Sequence, residues 1–171
     1  MPMTIADGRT RVTVLTEKPA DPRNITVTEL ESGVDISCQV LKSDYRISPT
    51  GSDTVDDAPL CSSGNAVTFG ASNYEGTVTV IRFLDEDGLP DPAEDEVWDL
   101  LATKGTLVWF VEREGPRYDV PWTAGDPYDA FHVMTDDPQK PSDRGGYIKR
   151  VIPLGVQNAV LNREVAAGSG G

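Results

Sequence analysis

Short stretches in which β-branched and aromatic residues alternate with polar ones recur along most of the chain. Each is closed by Gly, Pro, Asp or Ser, and the period of two predicts strands. They are Arg11 to Thr16, Ile25 to Leu30, Val34 to Leu41, Val67 to Phe69, Thr77 to Leu84, Thr106 to Glu112, Ala130 to Met134, Tyr147 to Pro153 and Val156 to Val165. About nine strands at this spacing predict a mainly β fold, an antiparallel β-sandwich or barrel. One segment has a different period. Asp91-Pro92-Ala93-Glu94 supplies a capping side chain, a proline suited to the first helical position and a glutamate three residues after the cap. Val97, Leu100 and Leu101 follow at i, i+3 and i+4 with Trp98 beside them, and Gly105 provides a stop. One helix over about 92–104 is therefore expected to lie on the sheet through that apolar stripe.

Three segments follow neither period: Pro19 to Arg23, Ser43 to Asn65, and Gly115 to Asp129. The middle one is rich in Ser, Asp, Thr and Pro and is longer than a connection inside a compact domain needs. That makes it a functional loop, an arm that orders on a partner, or a disordered stretch. A length of 171 residues suits one domain with room for such features. Residues 1–167 are read as a single domain with an N-terminal arm and the long 43–65 loop, and residues 168–171 as a flexible Gly/Ser tail.

Charge narrows the functional classes. Lys and Arg number 15 against 28 Asp and Glu, a formal net charge of −13, which disfavours any partner held through its phosphates. One His and two Cys cannot build a structural zinc site or a disulfide framework, and no apolar run approaches the roughly 20 residues of a membrane span. The first residues lack the basic and apolar stretches of a secretory leader, so the chain is expected to stay in a cytoplasm. There Cys38 and Cys61 read as small buried apolar residues. Asn24-Ile25-Thr26 matches a glycosylation acceptor, which has no meaning without secretion.

Candidate chemistry is sparse. No phosphate-cradling Gly loop, zinc-protease helix or strand-to-helix serine elbow is present. His132 sits in an alternating strand and reads as a strand histidine rather than a catalytic base. Asp85-Glu86-Asp87-Gly88 fails the EF-hand spacing, since its Gly is fourth rather than sixth, and reads as a polar turn. The acids at Asp91, Glu94, Asp95 and Glu96 suit a helix N-terminus. The pairs Asp56-Asp57 and Asp136-Asp137 are the kind of residues a glycosidase uses, but adjacent acids in such loops are ordinarily solvated. No catalytic residue, metal ligand or cofactor is assigned.

Several runs carry a resemblance. Val34-Asp35-Ile36-Ser37-Cys38, Ile47-Ser48-Pro49-Thr50-Gly51-Ser52-Asp53 and Asn73-Tyr74-Glu75-Gly76-Thr77-Val78-Thr79 resemble segments of actinobacteriophage major tail proteins, the tail tube proteins of long-tailed phages. The likeness continues through Arg82 to Gly88, Leu107 to Arg113 and Val151 to Val156, and spans roughly 29–165. It implies a β-sandwich with one packed helix, assembled into hexameric rings that stack as the conduit for the genome, with no catalytic residues. The partners implied are further copies of the chain, with the tape measure, tail terminator and distal tail proteins at the tube's ends. The implied location is the virion tail, after assembly in the host cytoplasm. Some relatives append an immunoglobulin-like domain, for which a chain ending near Val165 leaves no room. A head decoration, tail-completion or secretion-tube protein of similar fold is the alternative, and an acidic carbohydrate-active enzyme is a third.

Under this resemblance the negative charge suits a wall that must let DNA slide rather than grip it. Only carboxylates facing the bore act on the genome, because screening at physiological salt has a range of about 8 Å. Glu29, Glu31 and Asp35, flanking a turn at Gly33 between two expected long strands, are the lumen candidates. The subunit-interface candidates are Tyr45, Ile47 and Leu60, apolar anchors in a polar segment, with Asp53, Asp56 and Asp57 beside them. Strand edges near Val12 and at the C-terminal strand are further joints between subunits.

Overall fold

The computed structural model describes residues 2–168. The strands are β1 (Thr10–Leu15), β2 (Val34–Asp35), β3 (Arg46–Pro49), β4 (Thr54–Val55), β5 (Thr68–Phe69), β6 (Tyr74–Ile81), β7 (Leu107–Glu114), β8 (Pro127–Thr135) and β9 (Lys149–Glu164). Seven form one antiparallel sheet in the order β2-β1-β7-β8-β9-β6-β3, and β4 and β5 form a separate hairpin. Two short helices complete it, α1 (Val27–Glu31) and α2 (Glu96–Leu101). The fold is mainly β and sandwich-like, as the period of two predicts. Among the described residues no helix is long and apolar enough to cross a membrane.

Both faces of the central strands are buried, which explains why β7 reads Leu-Val-Trp-Phe-Val without polar interruption. Its Val108 and Phe110 pack on one face with Val12, Val14, Phe131 and Val133. Trp109 and Val111 pack on the other with Leu15, Tyr128 and Ala130. The first face is closed by curvature. The segment after β2 bonds to β1 through Ile36 N–H to the Val12 carbonyl (3.0 Å), then to β6 through Leu41 N–H to the Thr79 carbonyl (2.9 Å). One stretch of chain thus bridges the two halves of the sheet and folds them over a shared core, into which α2 inserts Val97 and Leu101. The second face is covered by Ile25, Leu30 of α1, Trp122 and Val165.

The proline-containing segment 115–126 is held by one buried cation. Arg113 is fully buried, and its guanidinium donates to Asp126 (2.7 Å) and to the carbonyls of Arg117 (2.9 Å), Val120 (2.8 Å) and Pro121 (3.2 Å). Trp122, beneath that guanidinium, donates its Nε1–H to Thr13 Oγ1 at 2.9 Å. A second buried pair, Arg82 with Asp95 (2.6 Å), fixes α2 to β6, and Trp98 stacks on the same guanidinium at 4.2 Å.

Several expectations are corrected. Residues Ile25 to Leu30 are not a strand: Thr26 and Glu29 form a reciprocal capping box that starts α1. Val34 to Leu41 is strand only at Val34–Asp35, because the chain must turn at once to bridge β1 and β6. Gly33 passes so close to β1 that a Cβ would lie 2.6 Å from the side chains of Thr13 and Leu15. Tyr147 to Pro153 and Val156 to Val165 are parts of one strand, β9; the missing N–H of Pro153 is tolerated because it faces past the end of β8, where Asp136 N–H reaches the Pro153 carbonyl (3.0 Å).

The helix of 92–104 is shortened to Glu96–Leu101. Asp91 caps a preceding turn, and the Asp95 carboxylate is taken by Arg82 and by Phe83 N–H, so it does not cap its own helix. The Ser43 to Asn65 segment contains β3, β4 and a 3-10 turn at Lys42–Asp44. Cys38 and Cys61 are exposed rather than buried. Of the expected flexible tail, residues 169–171 lie outside the described residues.

Candidate assembly surfaces

The hairpin carrying β4 and β5 is the largest feature without a place in either core. It extends the β3–β6 ladder through Thr50 N–H to the Asn73 carbonyl (2.8 Å) and Asp53 N–H to the Ala71 carbonyl (2.9 Å), and every residue from 53 to 73 is exposed. Its apolar side chains have no partner surface: Leu60 is fully exposed, Phe69 is 73%, Val67 59% and Val55 45% exposed. Apolar groups concentrated on one projection mark a surface that is covered by something else.

The six interface candidates divide between the domain and this projection. Ile47 is buried in the first core, and Tyr45 packs on the edge of that core with its hydroxyl donating to Glu112 Oε2 at 2.8 Å. Both find their surface on their own subunit. Asp53 accepts from the Asn73 side-chain amide at 2.9 Å near the hairpin base, while Asp56, Asp57 and Leu60 stand exposed on the hairpin. Capping and pairing also engage two of the three lumen candidates. Glu29 accepts from the backbone N–H groups of Thr26 (2.9 Å) and Ala20 (2.8 Å); burial pushes its carboxyl up, but these hydrogen bonds outweigh it and hold it below the usual range. Asp35 pairs with Arg11 at 3.2 Å. Glu31 ends α1, exposed. The three do not flank a turn between two long strands: the first two belong to a helix and the third to a two-residue strand.

Sequence reasoning missed an acidic groove of about 850 Å³ between β1, β3, β7 and β8, lined by Glu112, Glu114 and Asp129 beside Tyr45. Burial pushes the Glu112 carboxyl up, the hydrogen bond from Tyr45 opposes this, and the charges of Glu114 and Asp129 add to the rise. The Tyr45 hydroxyl is pushed well up by burial and by Glu112. Strand alternation carries the missing signal, because Glu112 and Glu114 fall on the Phe110 face of β7. Lys42 and Arg46 also line the groove beside these carboxylates, and among the described residues no group of three His, Cys, Asp or Glu is placed to hold a metal ion. His132 stacks on Trp109 across the strand pair at 4.9 Å, which accounts for it structurally.

The geometry is that of a subunit with a rigid core and an unsatisfied projection, and comparison with known proteins agrees. The model of the family described as phage tail tube protein matches residues 1–169. The chain belongs to the phage tail tube protein family. This family is structural and non-enzymatic, so the protein is a structural component of a phage tail. No curated protein matches the sequence. Among solved structures, a chain of the 6-fold symmetrised cryo-EM structure of the anti-feeding prophage (AFP) baseplate is similar in fold, with 14% sequence identity, coverage of 97% of this chain and 98% of that chain, and a TM-score of 0.53.

Proposed function

We propose that this tail tube protein assembles into hexameric rings that stack into a hollow, electronegative conduit for the phage genome. The observation that carries the reading is the hairpin of residues 50–73, which exposes four large apolar side chains and contributes none to its own core. A projection of this kind gains its stabilisation on a neighbouring copy, where buried interface offsets the entropy of ordering it. The short edge strands β2 and β3 leave little free backbone for uncontrolled pairing, so edge contacts within a ring are limited and directional. Six copies per ring follows the symmetry of the assembly that holds the similar fold.

The charge of −13 per chain supports a wall that does not retain DNA, since a cationic wall would release counterions and bind the duplex. Among the proposed lumen carboxylates Glu31 is the best placed, because Glu29 and Asp35 are already held by capping and by Arg11. The proposed partners at the tube's ends are the tape measure, terminator and distal tail proteins, in a virion assembled in the host cytoplasm. Negative-stain electron microscopy of the purified protein tests the proposal: stacked rings or tubes with a central hole are expected. Monodisperse monomers at all concentrations, or closed single rings that never stack, refute it in favour of a decoration or completion protein.

A further inference from the structure

Resting on the stacking reading, the charge pattern assigns a receptor to the hairpin. Between Arg46 and Arg82 the chain holds no Lys or Arg, and its acids there are Asp53, Asp56, Asp57 and Glu75. Glu75 is paired with Arg46 at 2.7 Å, so the projection carries three carboxylates and no cation. The connection from β8 to β9 has the opposite bias. Its first two acids, Asp136 and Asp137, are paired with Lys104, and from there to the start of β9 Lys140, Arg144, Lys149 and Arg150 stand against Asp143 alone. Among the described residues none of these four cations makes an ion pair; Arg9, Lys18, Arg23 and Arg163 make none either but are scattered along the chain, and the other seven Lys and Arg are all paired. In a chain of net charge −13, a cluster of unpaired cations calls for an anionic partner.

The apolar groups match as well. The same connection exposes Tyr147 and Ile148, and it walls a cleft of about 860 Å³ floored by Thr77, Thr79 and Val151. The hairpin offers Leu60, Phe69, Val67 and Val55 in return. Topology then decides whether the two can meet within one subunit. Pro49 pairs with Tyr74 at the hairpin base, the first residue of β6, and Lys149 pairs with Ile81, its last. Seven steps of β6, about 24 Å, separate the hairpin base from Lys149, while the cleft begins nearer, at Thr77, about 10 Å from that base. The hairpin continues the β3–β6 ladder away from the cleft, so its tip meets such a cleft on another copy, head to tail, and a contact of that kind propagates where its rotation does not close a ring.

We infer that the β8–β9 connection is the receptor for the acidic hairpin of the next copy along the tube, with Lys140 and Arg144 facing Asp56 and Asp57 and Leu60 entering the cleft. The contact gives the stack its polarity, because hairpin meets receptor in one direction only.

Charge reversal tests it on the full chain, with sedimentation and negative-stain imaging as readouts and thermal melting as the fold control. K140E/R144E and D56K/D57K are each expected to raise the concentration needed for stacking about tenfold or more, since attraction becomes repulsion at an interface of several pairs. K18E/R23E, which changes net charge as K140E/R144E does but at exposed sites elsewhere, is expected to stack like wild type. The combined variant K140E/R144E/D56K/D57K restores the wild-type net charge and is expected to recover stacking. Normal stacking by K140E/R144E, or no recovery in the combined variant, overturns the receptor assignment while leaving the tube reading intact. A short DNA duplex that binds wild type but not K140E/R144E, with stacking unchanged between them, also overturns it and makes the cluster a phosphate contact. A wild-type protein that forms no stacked rings at any concentration overturns the tube reading itself and the receptor with it.

Discussion

Replacing residues 54–69 with Asn-Gly tests whether the hairpin serves assembly or the subunit's own fold. The cut is geometrically mild, because Gly70 N–H already bonds the Asp53 carbonyl and a two-residue turn suits such a closure. Every deleted side chain is exposed and none belongs to either core. Shortening the loop beyond β3 and β6 from about 24 to about 10 residues lowers the closure entropy by about 0.8 kcal/mol, and the loss of two exposed ladder pairs works against it. The subunit's stability is therefore expected to stay within about 1 kcal/mol of wild type, a shift of no more than about 4 °C in Tm.

Assembly should respond very differently. The exposures of Val55, Leu60, Val67 and Phe69 amount to nearly three complete apolar side chains, and covering them is worth about 4–8 kcal/mol per subunit. Ordering these side chains takes back about 0.5–1.5 kcal/mol each. A net of about 2 kcal/mol remains, so the shortened protein needs a roughly thirtyfold higher concentration to stack. Calorimetry measures the first quantity and sedimentation over a concentration series the second. Tubes forming at wild-type concentrations would show that the hairpin is not an interface. A stability loss above about 2 kcal/mol would show that it packs on its own domain.

Other perturbations address the core, the acidic groove and the thiols. Asp126→Asn leaves the fully buried Arg113 without its counter-charge and should cost about 3–5 kcal/mol in urea unfolding; a loss under about 1 kcal/mol would deny that the pair organises residues 115–126. Burial raises the Asp126 carboxyl, but the Thr123 N–H and Arg113 hydrogen bonds hold it below 3.8, so its stabilisation is complete above 3.8 and is lost as pH falls through the folded value. The D126N variant should lack that part of the acid limb. Glu112 has the opposite sign: raised from 4.5 by burial, it favours folding below 4.5 and loses that contribution as pH rises through its folded value. Glu112→Gln, which keeps an acceptor for Tyr45, should therefore be more stable than wild type at pH 7–8 and no more stable near pH 3. A pH-independent difference would contradict the burial argument. In the isolated subunit both Cys38 and Cys61 should react with a disulfide reagent, whereas tube formation should slow modification of Cys61 on the hairpin. Equal rates in subunit and tube would place that part of the hairpin outside every contact.

What the sequence discloses here depends on whether a signal is local. The β-branched and aromatic runs in Arg11 to Thr16 and Thr106 to Glu112 survive as β1 and β7 because both strands are packed centrally, between two cores. Thr26-Val27-Thr28 carries the same β-branched bias, yet Thr26 and Glu29 form a capping box, a local signature visible in the sequence that outweighs propensity once both bonds are made. The extent of α2 was not legible, since the Asp95 carboxylate is claimed by Arg82, thirteen residues away along the chain. Exposure of Cys38 follows from a turn imposed by the bridge between β1 and β6, a tertiary requirement with no local cue. Of the interface candidates, the sequence identified apolar residues in a polar segment without distinguishing Tyr45 and Ile47, which fold back, from Leu60, which does not. That difference rests on the register of β3 with β6.

Total charge and its distribution carry different information about this chain. A net −13 disfavours a phosphate-binding partner and predicts that copies repel one another within a range of about 8 Å at physiological salt, beyond which the charge is screened. Repulsion of that sort opposes polymerisation, so a protein that stacks must overcome it at contact range. Segregation provides the means: three carboxylates gather on a projection that carries no cation, and four cations without ion pairs gather between Lys140 and the first residues of β9, toward the far end of the same strand. Only close, oriented approach places the two in register, whereas every other approach meets the average negative surface. On the proposed tube reading, the acidic composition that would let DNA slide also penalises misaligned association, and one charge distribution would serve both the bore and the order of assembly.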